Sequence, residues 1–167
     1  MIPQIKKILY ATDLSRNSAY AFYFAVDLAQ RRGATILILH TLEPVPAYVK
    51  NYLTDSDQIA LDHQDTVIEK IQKRIDHFCK NVDSHAGYHC AELVSKTIVR
   101  LGHPVDQILK VADEEGCDVI VMGTHGKGFL KQTFLGSVSR GVLDSTRKPI
   151  FIIPLPPETE HIEWASM

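Results

Sequence analysis

The sequence predicts an α/β protein: a single-domain, open, doubly wound sheet of five parallel strands in the order 3-2-1-4-5, with helices on both faces. Short apolar runs alternate along the chain with longer segments whose apolar residues recur at helical spacing. The runs are nearly continuous rather than alternating, which is typical of parallel strands buried on both faces. A chain of 167 residues, 45% of them hydrophobic, is long enough to form one packed core.

The first three elements are a strand, a helix and a strand. Ile5–Ala11 and Thr35–Leu39 are the apolar runs predicted as the strands. Ser15 is expected to cap the helix between them, and Gly33 to end it. This order implies a right-handed crossover and parallel pairing.

The other elements follow from the same signals. They are predicted, in order, as a long irregular connection (43–57), a helix (57–82), a third strand (93–100), a short helix opened by Pro104, a fourth strand (119–122), a helix that begins near Gly136, and a fifth strand (150–153). We expect the domain to span residues 1–154. Residues 155–167 are expected to form a partly disordered tail outside the core.

A glycine-rich loop joins the fourth strand to the helix that follows it. Gly123, Gly126, Gly136 and Ser137 form the pattern G-x2-G-x9-G-[ST]. Such a loop lets backbone N–H groups approach an anion without obstruction by Cβ atoms, and the helix N-terminus adds unpaired N–H groups and a positive dipole end. The pattern is neither a P-loop nor a dinucleotide fingerprint, and it predicts a cradle for phosphates.

The loop resembles the ATP-binding signature of the universal stress protein (UspA) family. The resemblance extends from Lys6 to Pro154 and includes the opening K-I-L-Y-A-T-D-L-S, which is similar to the first strand of that family. It implies a nucleotide-binding domain of the family's ATP-binding branch. The implied cofactor is ATP, with Mg²⁺ or Mn²⁺ on the phosphates.

The resemblance also assigns roles to individual residues. Positions near the adenine and ribose are matched by Thr12, Asp13 and Thr41. The ribose-facing end of the fourth strand is matched by Met122 and Gly123. Phosphate-side positions are matched by His125, Gly126, Gly136, Ser137, Val138 and Ser139. Ligands of open α/β sheets bind beyond the carboxyl ends of the strands where the strand order reverses, so these positions are expected to meet in one crevice.

Several of these residues have alternative structural interpretations. Asp13 is suited to capping the first helix. Gly123 and Gly126 are common turn residues, and His125 is a common exposed loop residue. The turn interpretation leaves the Gly136–Ser137 pair at a helix start unexplained, so phosphate binding is favoured.

The function predicted is that of an ATP-binding stress-response or regulatory protein. The alternatives are a slow ATPase or autophosphorylating enzyme, and a nucleotide-independent dimeric interaction module. The sequence offers no paired carboxylates beside the cradle and no nucleophile–base pair, so no catalytic residue is predicted. The resemblance implies a homodimer through the apolar strand 150–153, which would otherwise lie unpaired at the sheet edge.

Composition argues against other classes of protein. The net charge of -2 gives no basic field for nucleic acid, and no apolar run reaches transmembrane length. The N-terminus lacks signal-peptide order, so a cytoplasmic protein is expected. His77, Cys79, His85, His89 and Cys90 are zinc-ligand types, but their spacing fits no strong zinc pattern, and no metal site is predicted. Three cysteines do not suggest a disulfide framework.

Overall fold

A computed structural model confirms the doubly wound parallel sheet. The structure describes residues 2–44, 46–50, 52, 64–86, 89–124 and 135–154. Its five strands are parallel and lie in the order β3-β2-β1-β4-β5. The elements are β1 (Lys7–Thr12), α1 (Arg16–Arg32), β2 (Thr35–Leu42), α2 (Ala47–Lys50), α3 (Gln64–Ala86), α4 (Cys90–Leu93), β3 (Val94–Leu101), α5 (Pro104–Glu114), β4 (Val119–Gly123), α6 (Ser137–Ser145) and β5 (Ile150–Ile153).

The ends of α1 follow from local side-chain and backbone chemistry, as predicted. The Ser15 hydroxyl accepts a hydrogen bond from the N–H of Ser18 at 3.3 Å, which satisfies one of the free amides of the first turn. Gly33 ends the helix in the left-handed region, at φ 62°, which costs glycine little. Residue types at these two positions therefore set the length of the helix.

The sheet separates two apolar layers. On one face α1, α3 and α4 cover a cluster that includes Ile8, Tyr10 and Phe22. On the other face α5 and α6 cover a cluster that includes Leu9 and Ile120. Since β1 and β4 contribute alternate side chains to each layer, β4 is buried along its whole length and β1 is buried from Ile8 onward, which explains their nearly continuous apolar sequence.

Several predicted boundaries differ from the structure. β1 spans Lys7–Thr12 rather than residues 5–11, and α3 continues to Ala86 rather than ending at residue 82. β3 ends at Leu101 rather than at residue 100, and β4 includes Gly123.

β2 continues through Leu42, because its pairing with β3 extends that far. The connection predicted as irregular contains the single turn α2. A further turn, α4, precedes β3, so assigning Leu93 to the strand was wrong. The predicted helix start at residue 57 and the tail from residue 155 lie outside the described residues.

A carboxylate closes the amino-terminal edge of the sheet. Asp118, just before β4, accepts hydrogen bonds from the N–H groups of Lys6 and Lys7 at 2.8 and 2.9 Å. The bond from Lys6 is the main reason that the pKa of this carboxyl lies below its usual range. These bonds hold the start of β1 against the start of β4, the two central strands of the sheet.

Among the described helices, none combines the length and the apolar character needed to cross a bilayer.

Asp118→Ala should lower the free energy of unfolding at pH 7 by about 1–3 kcal/mol, because two backbone donors lose their acceptor. Because the pKa of Asp118 is depressed by folding, its contribution is present above the unfolded-state pKa of about 4 and is lost as the pH falls through the lower folded-state value. Urea unfolding at a series of pH values from 7 to 2.5 measures this loss.

The control is Asp113→Ala, since Asp113 is 78% exposed and only 3.4 Å from the Lys148 ammonium in a surface ion pair. We expect it to change stability by less than about 0.5 kcal/mol. A destabilisation by Asp118→Ala that stays constant down to pH 2.5 would contradict the prediction.

Candidate functional site: a cleft at the carboxyl edge of the sheet

A cleft of about 590 Å³ opens at the carboxyl ends of β1, β2 and β4, beside the start of α6. It lies where the strand order reverses, between β1 and β4, as expected for ligand sites of open α/β sheets. It is lined by Ala11, Thr12, Asp13, Ser18, Leu39, His40, Thr41, Leu42, Glu43, Pro104, Ile108, Met122, Gly123, Gly136, Ser137, Val138 and Ser139.

The turn after β1 is held by its own side chains. The Thr12 hydroxyl accepts from the N–H of Leu14 at 3.0 Å, and the Asp13 carboxylate accepts from the N–H of Ser15 at 3.0 Å. Leu14 lies at φ 63°, which is unusual for a residue with a Cβ atom. The two bonds hold this conformation and orient Asp13 at the rim of the cleft.

Ser18 links this turn to α1 and to the core. Its hydroxyl accepts from the Thr12 hydroxyl at 2.8 Å and donates to the Ser15 carbonyl at 2.9 Å. Its carbonyl accepts from the Tyr10 hydroxyl at 2.5 Å. Burial raises the pKa of Tyr10, so the phenol keeps the proton that it donates. The Thr12 hydroxyl thus forms hydrogen bonds within the turn. The predicted contact between this hydroxyl and a ligand would be made in addition to those bonds.

His40, near the end of β2, faces the cleft in a defined tautomer. Its Nδ1 lies 2.8 Å from the carbonyl oxygen of Thr12. A carbonyl oxygen only accepts hydrogen bonds, so Nδ1 carries the proton. The bond joins the carboxyl ends of β1 and β2 at the wall of the cleft.

The start of α6 is joined to the end of β4 by three hydrogen bonds. The N–H of Gly136 donates to the Thr124 carbonyl at 2.7 Å. The Ser139 hydroxyl lies within donating distance of the carbonyls of Gly123 and Thr124, at 2.9 and 3.0 Å. These bonds use the Gly136 amide and the Ser139 proton internally, so both residues position the helix end.

The next two residues of the first turn of α6 line the cleft. Gly136 is the N-cap of α6, and no described side chain caps the helix. The amides of Ser137 and Val138 occupy the first two helical positions, where no preceding turn supplies an acceptor. Both residues line the cleft, so their N–H groups and the positive end of the helix dipole are available to an anion.

Gly123 packs closely against α1. A Cβ atom built there would lie 3.2 Å from Asn17 Cγ and 3.3 Å from the Asn17 carbonyl oxygen. The space beside Gly123 is therefore occupied by α1. Substitutions at this glycine would disturb the packing of α1 on β4, so they do not test ligand binding.

The charged groups of the cleft are carboxylates. Asp13 and Glu43 lie on the rim, on the side away from α6, and no lysine or arginine is among the described lining residues. The cleft thus has a negative rim at β1 and β2 and a patch of main-chain donors at α6. Hydroxyl and amine donors suit the first region, and an anion suits the second.

The cleft brings together most of the residues predicted from the sequence. Those residues are Thr12, Asp13, Thr41, Met122, Gly123, Gly136, Ser137, Val138 and Ser139. His125 and Gly126 lie outside the described residues. Ligand contact by each of them stays a prediction.

Sequence reasoning missed several lining residues. The lining residues that were not among the predicted site residues are Ala11, Ser18, Leu39, His40, Leu42, Glu43, Pro104 and Ile108. The spacing of Ser15 and Ser18 was a usable signal, because hydroxyls three residues apart meet in a first helical turn. Nothing in the sequence indicated that Pro104 and Ile108 reach the cleft, since this depends on how α5 packs.

Within the described residues, no group of three or more histidine, cysteine, aspartate or glutamate side chains is arranged to hold a metal ion.

Comparison with known proteins agrees with this architecture. The model of the universal stress protein family matches residues 4–154. A universal stress protein of Methanocaldococcus jannaschii is 25% identical over 89% of this chain and 94% of its own length. The solved universal stress protein UspA of Lactobacillus plantarum is 23% identical, with a TM-score of 0.72 over 91% of this chain and 99% of that one. A universal stress protein in complex with cAMP is 20% identical, with a TM-score of 0.55 over 91% and 98% of the two chains.

Ser139→Ala should lower the free energy of unfolding by about 1–3 kcal/mol, because buried carbonyls at the end of β4 lose a donor. Ser137→Ala is the matched control, because Ser137 lies two residues before Ser139 in the same helical turn and is exposed. The free energy of unfolding of this variant should stay within about 0.5 kcal/mol of wild type. Urea unfolding of both variants measures the difference. Equal stabilities would show that the Ser139 bonds do not hold α6 to β4.

Proposed function

This chain belongs to the universal stress protein family, and from that premise we propose that it binds an adenine nucleotide, ATP, in the cleft at the carboxyl ends of β1, β2 and β4. The phosphates would lie against the start of α6. The ribose and adenine would lie towards Thr12, Asp13 and Thr41.

The observation that carries the proposal is the N-terminus of α6 at the wall of the cleft, which no side chain among the described residues caps. Ser137 and Val138 place main-chain N–H groups where they can donate hydrogen bonds to a phosphate, and the helix dipole favours negative charge there. The bonds from Gly136 and Ser139 to the end of β4 hold these amides in place before any ligand arrives. A donor group organised in advance costs less to order on binding.

The opposite side of the cleft suits the sugar and base. One carboxylate oxygen of Asp13 accepts a hydrogen bond from the N–H of Ser15. A carboxylate has further acceptor sites, which can accept hydrogen bonds from ribose hydroxyls. Leu39, Ile108 and Met122 supply apolar surface for a flat base. The combination of apolar walls and few polar groups is usual for nucleotide-sized ligands.

A divalent cation would accompany the phosphates. The described cleft residues include the carboxylates of Asp13 and Glu43, which are ligand types for a divalent cation. Mg²⁺ or Mn²⁺ is usually held by substrate phosphates, water and one or two carboxylates. We propose that the metal arrives with the nucleotide.

A relative supports a nucleotide as the ligand. A universal stress protein of the same fold has been solved in complex with cAMP. That ligand also contains adenine, ribose and a phosphate.

Ser137→Pro should weaken binding of Mg²⁺–ATP by roughly tenfold to a hundredfold, because it deletes an N–H donor to a charged acceptor. Proline is well tolerated at the first helical position, and the preceding residue, Gly136, already has φ -66° and ψ 165°, which suits a residue before proline. Isothermal titration calorimetry after removal of any co-purified nucleotide measures the affinity.

Ser137→Ala is the control, because it removes the hydroxyl and keeps the N–H. The difference between the alanine and proline variants isolates the main-chain amide. Unchanged affinity in the proline variant would show that the phosphates bind elsewhere. No saturable binding by the wild-type protein would refute the proposed function.

We also propose a homodimer formed through β5. β5 pairs with β4 on one side only and ends the described sheet, and Phe151 is 45% exposed at this edge. An apolar edge strand is normally covered, and two-fold pairing with a second copy covers it without creating a new edge.

Phe151→Asp should shift the protein from dimer to monomer at micromolar concentration, because a carboxylate would be placed in an apolar strand interface. Phe24→Asp on α1 is the matched control, since Phe24 is 44% exposed, and it should leave the dimer intact. Multi-angle light scattering gives the masses. A monomeric wild-type protein, or equal effects of the two variants, would contradict pairing through β5.

A further inference from the structure

Two cysteines lie in the same apolar layer, which is covered by α1, α3 and α4. Cys79 is in α3 and Cys90 is the first residue of α4, with relative exposures of 4% and 0%. Both are free thiols, and the side chain of Cys79 is the main reason that the pKa of Cys90 is raised. Neither lines the cleft.

Main-chain contacts hold the two thiols in place. The N–H of Cys90 donates to a carboxylate oxygen of Asp83, one turn after Cys79 on α3. α4 packs against α3, and both cysteines belong to one buried cluster with Phe78 and Ile75. The junction of α3 and α4 therefore holds both cysteines in the same buried layer.

We propose that Cys79 and Cys90 are an oxidisable dithiol, which a peroxide converts into an intramolecular disulfide. The bond would join α3 to the turn that leads into β3. This inference is independent of nucleotide binding, because it concerns the apolar layer and not the cleft.

The chemistry needs one equivalent of hydrogen peroxide. The thiolate of one cysteine attacks a peroxide oxygen, the O–O bond breaks, hydroxide leaves and takes up a proton, and a sulfenic acid forms. The sulfur of the second cysteine, losing its proton, attacks the sulfenic sulfur. The S–S bond forms, the S–O bond breaks, and the oxygen leaves as water. Two thiols are oxidised by two electrons, and the peroxide is reduced to two molecules of water.

The environment makes this reaction slow and dependent on pH. The hydrogen bond to Cys79 and burial raise the pKa of Cys90, so its proton is hard to remove. The thiolate is the reactive form of cysteine, and the rate should therefore rise with pH. The two thiols should therefore be oxidised during long exposure to peroxide rather than during a brief exposure. A small oxidant is needed, because both sulfurs are buried.

Cys117 serves as an internal control. It is 1% exposed, lies in the apolar layer on the other face of the sheet, and has a pKa raised by burial to about 11. It shares the burial of the pair but lacks a neighbouring thiol within that layer. The oxidation state of Cys117 therefore distinguishes oxidation that requires a neighbouring thiol from oxidation of any buried thiol.

The test treats the folded full-length protein with excess hydrogen peroxide at pH 8. Remaining thiols are then alkylated in denaturant and the peptides are mapped by mass spectrometry. We expect one cross-linked species that joins Cys79 to Cys90 and is lighter by about two hydrogen atoms, with Cys117 alkylated. Closure of this short loop should raise the Tm by roughly 5 °C, reversibly on reduction.

Two variants complete the test. Cys117→Ala should still form the cross-link, and Cys90→Ala should abolish it while leaving Cys79 to oxidise alone. Thiols that all stay free, or single oxidation products without a bond between Cys79 and Cys90, would overturn the proposal. The wild-type peptide map decides the matter even if a variant fails to fold.

Discussion

The parallel pairing of β1 with β4 is the constraint on which the rest of the structure depends. Residues 8–10 of β1 pair with residues 119–121 of β4 at the centre of the sheet. β2, which lies between these strands in the sequence, pairs with the other edge of β1. The strand order therefore reverses at this pair, and the connections that leave the two strands diverge to opposite faces. A crevice at their carboxyl ends follows from the topology, before any particular side chain is considered. Asp118 holds the other end of the same pair closed through the amides of Lys6 and Lys7.

Short polar side chains turn that crevice into an organised site. Thr12 and Ser18 connect the turn after β1 to α1, and Ser139 connects α6 to the carbonyls at the end of β4. In both places a hydroxyl forms hydrogen bonds with backbone groups that the fold buries. The consequence is a cleft whose main-chain donors and rim carboxylates are set by the fold.

The two faces of the sheet carry different chemistry. The face covered by α5 and α6 contributes Pro104, Ile108 and Val138 to the cleft. The face covered by α1, α3 and α4 holds the paired thiols of Cys79 and Cys90 in apolar surroundings. Because the strands lie between these layers, a change in one layer reaches the other only through the sheet. Nucleotide binding and thiol oxidation can therefore be measured separately.

The sequence alone determined the caps of α1, the extent of β5 and the start of α6, because each depends on local signals. Apolar runs, Ser15, Gly33 and the Gly136–Ser137 pair act within a few residues of where they stand. It also indicated which strand ends would meet, since that follows from topology. Only the tertiary structure decided what each polar group in the cleft binds. The Thr12 and Ser139 hydroxyls and the Gly136 amide have partners within the protein, and Asn17 lies against Gly123. Those partners come from segments distant in sequence or from the details of a turn, and a pattern of residue types carries no information about three-dimensional distance.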